Sequence, residues 1–275
     1  MDENAFVQLV DRQIKAGTHA LVPCGTTGES ATLSHDEHRR VVELCVEVAA
    51  GRVPVIAGAG SNSTNEAIGL VRHAKTVGAH AALTVCPYYN KPSQAGLIAH
   101  FTTIADAVEM PLILYNVPGR TVVDMHPETL GALSRHPNIV GVKDASGDLG
   151  RVAWHRALAG PDFVLLSGDD PSSVGFSALG GTGCVSVTAN VAPQACARMH
   201  EALLSGNFSA ARDINQSLQR LHRVLFLEPS PAPTKFALAE LGLIQPDVRS
   251  PILPVQSEDV KREIRKAMEE AGVSA

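Results

Sequence analysis

The stretch VPVIAGAGSNSTNEAIGLVRHAKTVGAHAALTVC, residues 53–86, contains the pattern that decides the fold. It begins and ends with short apolar runs, 53–60 and 81–86, which predict two strands that are buried on both faces. Residues 64–79 between them have the spacing of an amphipathic helix, and a glycine closes it, as at many helix ends. A strand, a helix and a second strand at this spacing predict a parallel βαβ unit.

The same alternation continues along most of the chain and fits two architectures, a doubly wound open sheet and a (β/α)8 barrel. Polar and glycine-rich segments follow nearly every predicted strand. A barrel gathers such segments around one site, whereas an open sheet concentrates them at a switch point. We therefore predict an α/β fold of the (β/α)8 TIM-barrel type. The other predicted strands are residues 19–25, 111–116, 139–145, 163–169 and 182–189.

The two ends of the chain depart from a regular barrel. Seven strands are predicted instead of eight, and the chain opens with a predicted helix over residues 3–15. After the last predicted strand the sequence has helical spacing as far as its end. The predicted domains are a barrel catalytic domain, residues 1–205, and a C-terminal helical region, residues 206–275.

Composition excludes several classes of protein. The 275 residues are 45% hydrophobic with a net charge of −5, and no basic block indicates a nucleic-acid or membrane partner. No apolar run approaches the ~18 residues that span a bilayer, and the N-terminus lacks the features of a signal peptide. The five cysteines are scattered without a CxxC pair, which favours a reduced, cytoplasmic protein without disulfides or a zinc knuckle.

Lys143 interrupts an otherwise apolar strand in IVGVKDASG, residues 139–147. Burying an ammonium group in a dry interior is costly, so the stem could pack while the head reaches water. The alternative is functional, because barrel active sites lie at the carboxyl ends of the strands. Desolvation lowers the pKa of an amine and frees it to attack a carbonyl carbon. The residue is a candidate Schiff-base lysine.

Three further segments carry candidate chemistry. PCGTTGES, residues 23–30, offers N–H and hydroxyl groups to a small anion, or forms a turn that merely caps the next helix. Tyr115 could transfer protons, or it could be a half-buried aromatic side chain without a catalytic role. Arg120 could hold a carboxylate, or it could form an ordinary surface ion pair. Tyr88 and Tyr89 share one loop, which indicates an interface or a site.

The sequence gives little support for a metal or a nucleotide. Ser34 and Glu37 have the spacing of a capping box. His35 and His38 share a helix face, but no third ligand follows nearby, and we predict no metal site. The glycine-rich segments do not form GxGxxG at a strand–helix turn with a following acid, so a dinucleotide cofactor is not expected.

Six motifs, taken together, resemble the dihydrodipicolinate synthase family of pyruvate-dependent class I aldolases, within the N-acetylneuraminate lyase superfamily. They occur in the family's order, and the resemblance extends from about residue 3 to residue 260. The motifs are GTTGES (25–30), YYNKPSQ (88–94), YNVPGRT (115–121), VKDASGDL (142–149), LSGDD (166–170) and VSVTAN (185–190).

The resemblance implies a lyase that condenses pyruvate with L-aspartate 4-semialdehyde to 4-hydroxy-tetrahydrodipicolinate, the first committed step of lysine and diaminopimelate biosynthesis. It implies that Lys143 forms the Schiff base with pyruvate and that Tyr115 shuttles protons. Thr26 and Thr27 would bind the pyruvate carboxylate, and Thr26 would link Tyr115 to Tyr89 of a neighbouring subunit. The family's chemistry implies no metal or organic cofactor.

The resemblance also implies the second substrate's site and a regulatory site. Arg120 would bind the carboxylate of aspartate semialdehyde, and Gly168 and Val185 would line the pocket; many members have isoleucine at the latter position. A dimer of dimers and feedback inhibition by lysine are also expected. The lysine-site pattern is matched by Ser30, Ala31, His35, His38, Asn62, Glu66 and Tyr88.

One departure keeps other functions open. Family members begin with a strand resembling GSIVALVTPF before the first helix, and we expect that strand to lie upstream of Met1. The alternatives are another pyruvate-dependent aldolase or lyase of the same superfamily, or a catalytically silent paralogue that binds lysine. The presence of Lys143, Tyr115, Thr26 and Arg120 favours an active synthase.

Overall fold

A parallel sheet organises the middle of the chain in the computed structural model, which describes residues 1–274. Across this range six strands hydrogen-bond in chain order and form a half-barrel. Every neighbouring pair is parallel, so each crossover returns the chain to the same edge. The strands are β1 Ile56–Gly58, β2 Ala81–Val85, β3 Leu112–Asn116, β4 Ile139–Asp144, β5 Val164–Ser167 and β6 Gly183–Cys184.

Helices connect the strands and continue after the sheet. Short 3-10 turns lie at Ser30–Thr32 and Thr188–Asn190. The α-helices are α1 Glu3–Lys15, α2 His35–Ala49, α3 Thr64–Thr76, α4 Gln94–Ala107, α5 Pro118–Thr121, α6 Pro127–Leu133, α7 Gly150–Ala159, α8 Ser173–Ala178, α9 Pro193–Leu204, α10 Phe208–Val224, α11 Ala232–Glu240 and α12 Glu258–Glu270.

The chain divides into two compact units. One comprises Pro54–Val185, with all six described strands and helices α3–α8. The other comprises Met1–Val53 together with the chain from Ser186 onwards, and contains α1, α2 and α9–α12. The domain boundary predicted at residues 205 and 206 stays a prediction.

Apolar side chains form the core of the sheet unit, at helical spacing on the helices and at every second residue on the strands. Leu97, Phe101 and Ile104 recur on one face of α4 and are fully buried. Leu112 and Leu114 occupy one face of β3 and are also fully buried. Each such side chain stabilises the fold by about 1.5–3 kcal/mol.

The other unit is helical and its helices begin where the sequence indicates. Ser34 accepts a hydrogen bond from the N–H of Glu37, whose carboxylate returns one to the N–H of Ser34. This capping box is the one that the spacing predicts, and it starts α2. Helices α10 and α12 bury Leu218 and Ile264 on their apolar faces.

One predicted strand is wrong. Residues 19–25 form no strand; only Leu21 is in a bridge. The chain leaves the extended conformation at Cys24, where φ is +55°. The N–H groups of Gly28 and Ser30 then donate to the carbonyl of Gly25, at 3.0 and 3.4 Å, and close a tight turn. The predicted runs 53–60 and 182–189 are correct in place but are longer than β1 and β6.

No helix within residues 1–274 is long and apolar enough to cross a membrane. The five cysteines are thiols and form no disulfide in this part of the chain.

Candidate active site

Lys143 lies at the carboxyl end of β4, between two residues of the adjacent strands. Its register partners are Tyr115 on β3 and Leu166 on β5. The side chain is 8% exposed, and its Nζ is 4.1 Å from the centroid of the Tyr115 ring. The parallel register thus brings the predicted amine and the predicted phenol into direct contact.

Burial changes the acidity of this amine. It lowers the pKa of Lys143 to about 8, and the charge of Arg120 lowers it further. The neighbouring Cys184 and Asp170 act in the opposite direction but do not cancel the effect. Near neutral pH the fraction of the group present as the free amine, which attacks carbonyl carbons, is therefore far larger than for an ordinary lysine, although the protonated form still predominates.

Gly168 leaves the space through which the Lys143 side chain extends. A Cβ at this position would lie 2.9 Å from Cε of Lys143 and 2.7 Å from Cβ of Ala145. The N–H of Gly168 donates to the carbonyl of Asp144 at 2.7 Å, which fixes the close approach. Val185 follows β6, and its N–H donates to the carbonyl of Ser167 at 2.9 Å.

Arg120 lies on the one-turn helix α5, directly after β3, and is exposed. Thr121 donates from Oγ1 to the carbonyls of Val117 and Val123, at 3.1 and 2.8 Å, which closes the loop around the arginine. The next residue, Val122, has a φ of +63°. An exposed guanidinium on a closed loop is suited to bind an anion from solution.

Sequence reasoning missed a polar network that ties both ends of this loop. Asn116 donates from Nδ2 to Asp124 at 2.9 Å and accepts the N–H of Met125 at 3.0 Å. Arg151 donates to both carboxylate oxygens of Asp124. Burial acts to raise the pKa of Asp124, but the hydrogen bonds from Arg151 and Asn116 outweigh it and lower that pKa. Arg151 lies 27 residues from Asp124 in sequence, and no local pattern indicates their pairing.

A second buried pair behind Lys143 was also missed. Asp144 and His155 are both buried, and His155 Nδ1 lies 3.8 Å from Oδ2 of Asp144. Asp144 also accepts the N–H of Ser146 at 2.7 Å through Oδ1. Burial lowers the pKa of His155, and the charge of Asp144 partly offsets this. The alternation along β4 is the one available signal, because it places Asp144 on the face opposite Lys143.

The loop with the two tyrosines belongs to the same unit. Tyr89 has a φ of +70° and is 91% exposed. Asn62 donates from Nδ2 to the carbonyl of Tyr88 at 3.2 Å, and Asn90 donates to the carbonyl of Asn62 at 2.9 Å. Glu66 accepts from the hydroxyl of Ser61. The structure thus links Asn62 to the Tyr88 loop and holds Glu66 by a hydrogen bond from Ser61.

The other predicted site residues lie in the helical unit. Thr26 and Thr27 occupy the tight turn after Cys24, where the N–H of Glu29 donates to the carbonyl of Thr26 at 3.1 Å. Ser30 and Ala31 follow in the 3-10 turn. In the first turn of α2, His35 is exposed and His38 is buried. Residues 1–274 contain no cluster of three histidine, cysteine or acidic side chains arranged for a metal ion.

Comparison with known proteins places this arrangement in context. The model of the dihydrodipicolinate synthetase family matches residues 1–271. The 4-hydroxy-tetrahydrodipicolinate synthase of Hyphomonas neptunium is 60% identical over 278 residues, which cover 100% of this chain and 94% of that protein.

Solved structures agree with the sequence relatives. The chloride-inhibited dihydrodipicolinate synthase from Acinetobacter baumannii, complexed with pyruvate, is 44% identical with a TM-score of 0.97 and covers 99% of this chain and 94% of that one. The enzyme from Cyanidioschyzon merolae with lysine bound is 39% identical with a TM-score of 0.94 and covers 98% and 92%.

Proposed function

The chain belongs to the dihydrodipicolinate synthetase family, and on that premise we propose that it condenses pyruvate with L-aspartate 4-semialdehyde in lysine biosynthesis. Its relatives at up to 60% identity are 4-hydroxy-tetrahydrodipicolinate synthases, which are lyases. The observation that carries the proposal is the buried Lys143 amine against the Tyr115 ring, at 4.1 Å from its centroid.

Lys143 supplies the covalent step. Its free amine attacks the carbonyl carbon of pyruvate, water leaves, and the resulting iminium withdraws electrons from the pyruvate methyl group. Loss of a methyl proton gives an enamine, whose carbon attacks the aldehyde of the second substrate. The amino group of that substrate then attacks the iminium carbon, and the Lys143 amine leaves as the ring closes.

Tyr115 moves the protons in this sequence. Its ring packs against the Lys143 side chain, which supports a role beside the reacting amine. A phenol can give a proton to the departing hydroxyl and take one from an attacking amine. The resemblance that assigns this role also assigns Tyr89 to the same relay from a neighbouring subunit.

Carboxylates of the two substrates bind at different places. Thr26 and Thr27 offer hydroxyl groups in a tight turn to pyruvate. Arg120, exposed on its closed loop, donates hydrogen bonds to the carboxylate of aspartate semialdehyde. Gly168 keeps the path of Lys143 open, and Val185 lines the pocket beside β6.

We propose that the six described strands of the half-barrel are part of a complete (β/α)8 barrel. We also propose that the protein assembles as a dimer of dimers and acts in the cytoplasm. The exposed Tyr89, held at a φ of +70°, supports an interface because contact with another subunit would bury this large aromatic side chain. Lysine is the proposed feedback inhibitor, and the contact of Asn62 with the Tyr88 loop supports a formed site there.

Borohydride trapping tests the proposed function. The protein is incubated with pyruvate, reduced with borohydride, and examined by intact mass and peptide mapping. We expect one pyruvate-sized adduct on Lys143 in the wild type and none in Lys143→Arg. A folded wild-type protein that gives no adduct would contradict the aldolase mechanism.

A further inference from the structure

Glu29 links the turn of Thr26 and Thr27 to a distant part of the chain. Lys235 Nζ, on α11, donates to one oxygen of its carboxylate at 3.0 Å. The backbone N–H of Arg249 donates to the other oxygen at 2.7 Å. The side chains of Glu29 and Lys235 are 14% and 24% exposed, so solvent screens this ion pair only weakly.

The backbone of Glu29 explains why the turn needs such an anchor. Its φ is +57° and its ψ is +31°, a left-handed conformation that is unfavourable for a residue with a Cβ. In that conformation its N–H donates to the carbonyl of Thr26 at 3.1 Å. A side chain held at both oxygens keeps the backbone where this hydrogen bond forms.

Arg249 holds the chain beyond the turn as well. Its guanidinium donates to the carbonyl of Thr32 at 3.1 Å and to both oxygens of Glu37, at 2.8 and 2.6 Å. The hydrogen bond from Arg249 lowers the pKa of Glu37 to about 2, so this pair stays charged across the working pH range. The segment from Glu29 to Glu37 is therefore tied at three residues to α11 and to the chain between α11 and α12.

We propose that Glu29 and Lys235 are positioning residues that set the affinity for pyruvate. This rests on the proposed function, in which Thr26 and Thr27 receive the pyruvate carboxylate. Loss of the ion pair lets the left-handed residue relax, which weakens the hydrogen bond from the Glu29 N–H to the Thr26 carbonyl and loosens the turn that carries the two threonines. Lys143 lies on β4, outside this turn, and keeps its chemistry once pyruvate is bound. The C-terminal helices thereby contribute to substrate binding.

The test compares Lys235→Met and Glu29→Gln with two controls. Lys235→Arg retains the charge. Glu240 lies on α11, like Lys235, and accepts a hydrogen bond from Arg265 of α12 at 2.6 Å. Glu240→Gln therefore breaks an ion pair of α11 that does not involve the turn. For each protein we would measure the pyruvate concentration that half-saturates borohydride trapping at Lys143, together with kcat and both KM values.

We expect the first two variants to raise the half-saturating pyruvate concentration and the pyruvate KM by about tenfold. Their kcat and their KM for aspartate semialdehyde should change by less than about twofold. Lys235→Arg should restore most of the affinity, and Glu240→Gln should match the wild type.

Two outcomes would overturn the proposal. One is that the half-saturating pyruvate concentration is unchanged in both Lys235→Met and Glu29→Gln. The other is that kcat and the affinities for both substrates fall equally, together with a lower Tm. Absence of an adduct in the wild type would instead contradict the proposed function. If Glu29→Gln fails to fold, the comparison of Lys235→Met with Lys235→Arg decides, because Lys235→Met leaves the Arg249 hydrogen bond in place.

Discussion

Lys143 and Tyr115 face each other across adjacent parallel strands, with the amine 4.1 Å from the centroid of the ring. An aromatic ring face attracts a cation, yet burial outweighs this and leaves the pKa of Lys143 at about 8. The pair therefore combines a nucleophile that is partly deprotonated at neutral pH with a phenol in contact. Backbone register alone produces the arrangement, since both residues precede the last residue of their strands.

The rate of Schiff-base formation should follow this pKa. Only the neutral amine attacks pyruvate, so the rate at fixed pyruvate should rise with pH and level off above a midpoint near 8. Rapid mixing with pyruvate, borohydride quenching and mass spectrometry would give the rate at each pH. A midpoint near the ordinary lysine value of 10.5 would contradict the environment described for Lys143.

Lys143→Met should make the protein more stable near neutral pH. The folded state holds the lysine pKa at about 8 against an ordinary value of 10.5, so the unfolded chain binds more protons between these values. The lysine therefore destabilises the fold fully below pH 8, and the penalty disappears as pH rises towards 10.5. We expect a gain of about 1–3 kcal/mol at pH 7 and a much smaller gain at pH 10.

Urea unfolding at both pH values measures that gain. Lys75→Met, at a half-exposed position, is the control and should change stability little at either pH. A gain for Lys143→Met that is equal at pH 7 and pH 10 would show that better packing, and not the charge, is responsible.

Gly168→Ala should abolish adduct formation and reduce stability. The added methyl group would overlap Cε of Lys143 and Cβ of Ala145, and overpacking of this kind costs about 1–3 kcal/mol. Gly69→Ala is the matched control, because a Cβ there meets no other atom within 4 Å and lies on α3. The control should trap pyruvate like the wild type. Full trapping by Gly168→Ala would mean that the lysine can take another path.

The sequence predicts the part of the fold that depends on periodicity. Alternating apolar runs and amphipathic segments locate all six described strands, and the capping box at Ser34 locates the start of α2. The extra predicted strand at 19–25 fails because left-handed Cys24 and the turn at Gly25 depend on hydrogen bonds that form only in the folded chain. Apolar composition alone does not distinguish such a segment from a strand.

The candidate site divides in the same way. Lys143 is identifiable because a charge in an apolar strand is unusual, and motif resemblance supplies the other residues. The networks of Asp124 with Arg151 and of Glu29 with Lys235 are invisible in the sequence, since their members lie 27 and 206 residues apart. Ordinary surface ion pairs involve the same residue types, so only the three-dimensional structure shows which pairs support the site.

Val122→Gly should stabilise the protein by about 1 kcal/mol. Val122 has a φ of +63°, where a β-branched side chain is strained, and it is 73% exposed, so little burial is lost. The greater freedom of glycine in the unfolded chain offsets part of the gain. Val122→Ala retains a Cβ and should gain less. Urea unfolding would compare the three proteins, and a less stable Val122→Gly would show that the side chain makes a compensating contact.

Asp124→Asn should weaken binding of the second substrate while leaving the reaction with pyruvate intact. Asp124 connects Asn116 and Arg151, which hold the two ends of the loop that carries Arg120. With one carboxylate oxygen replaced, the bidentate pair with Arg151 is lost, and we expect a loss of about 1–3 kcal/mol in stability.

The kinetic effect of Asp124→Asn should be selective because the loosened loop carries Arg120 and not Lys143. We expect the KM for aspartate semialdehyde to rise about tenfold, with an unchanged half-saturation for borohydride trapping of pyruvate. Asp259→Asn breaks an exposed pair with Arg262 on α12 and should leave both values at the wild-type level. A parallel rise in both values would show that the network supports the whole sheet edge. No rise in either value would show that the network does not position Arg120.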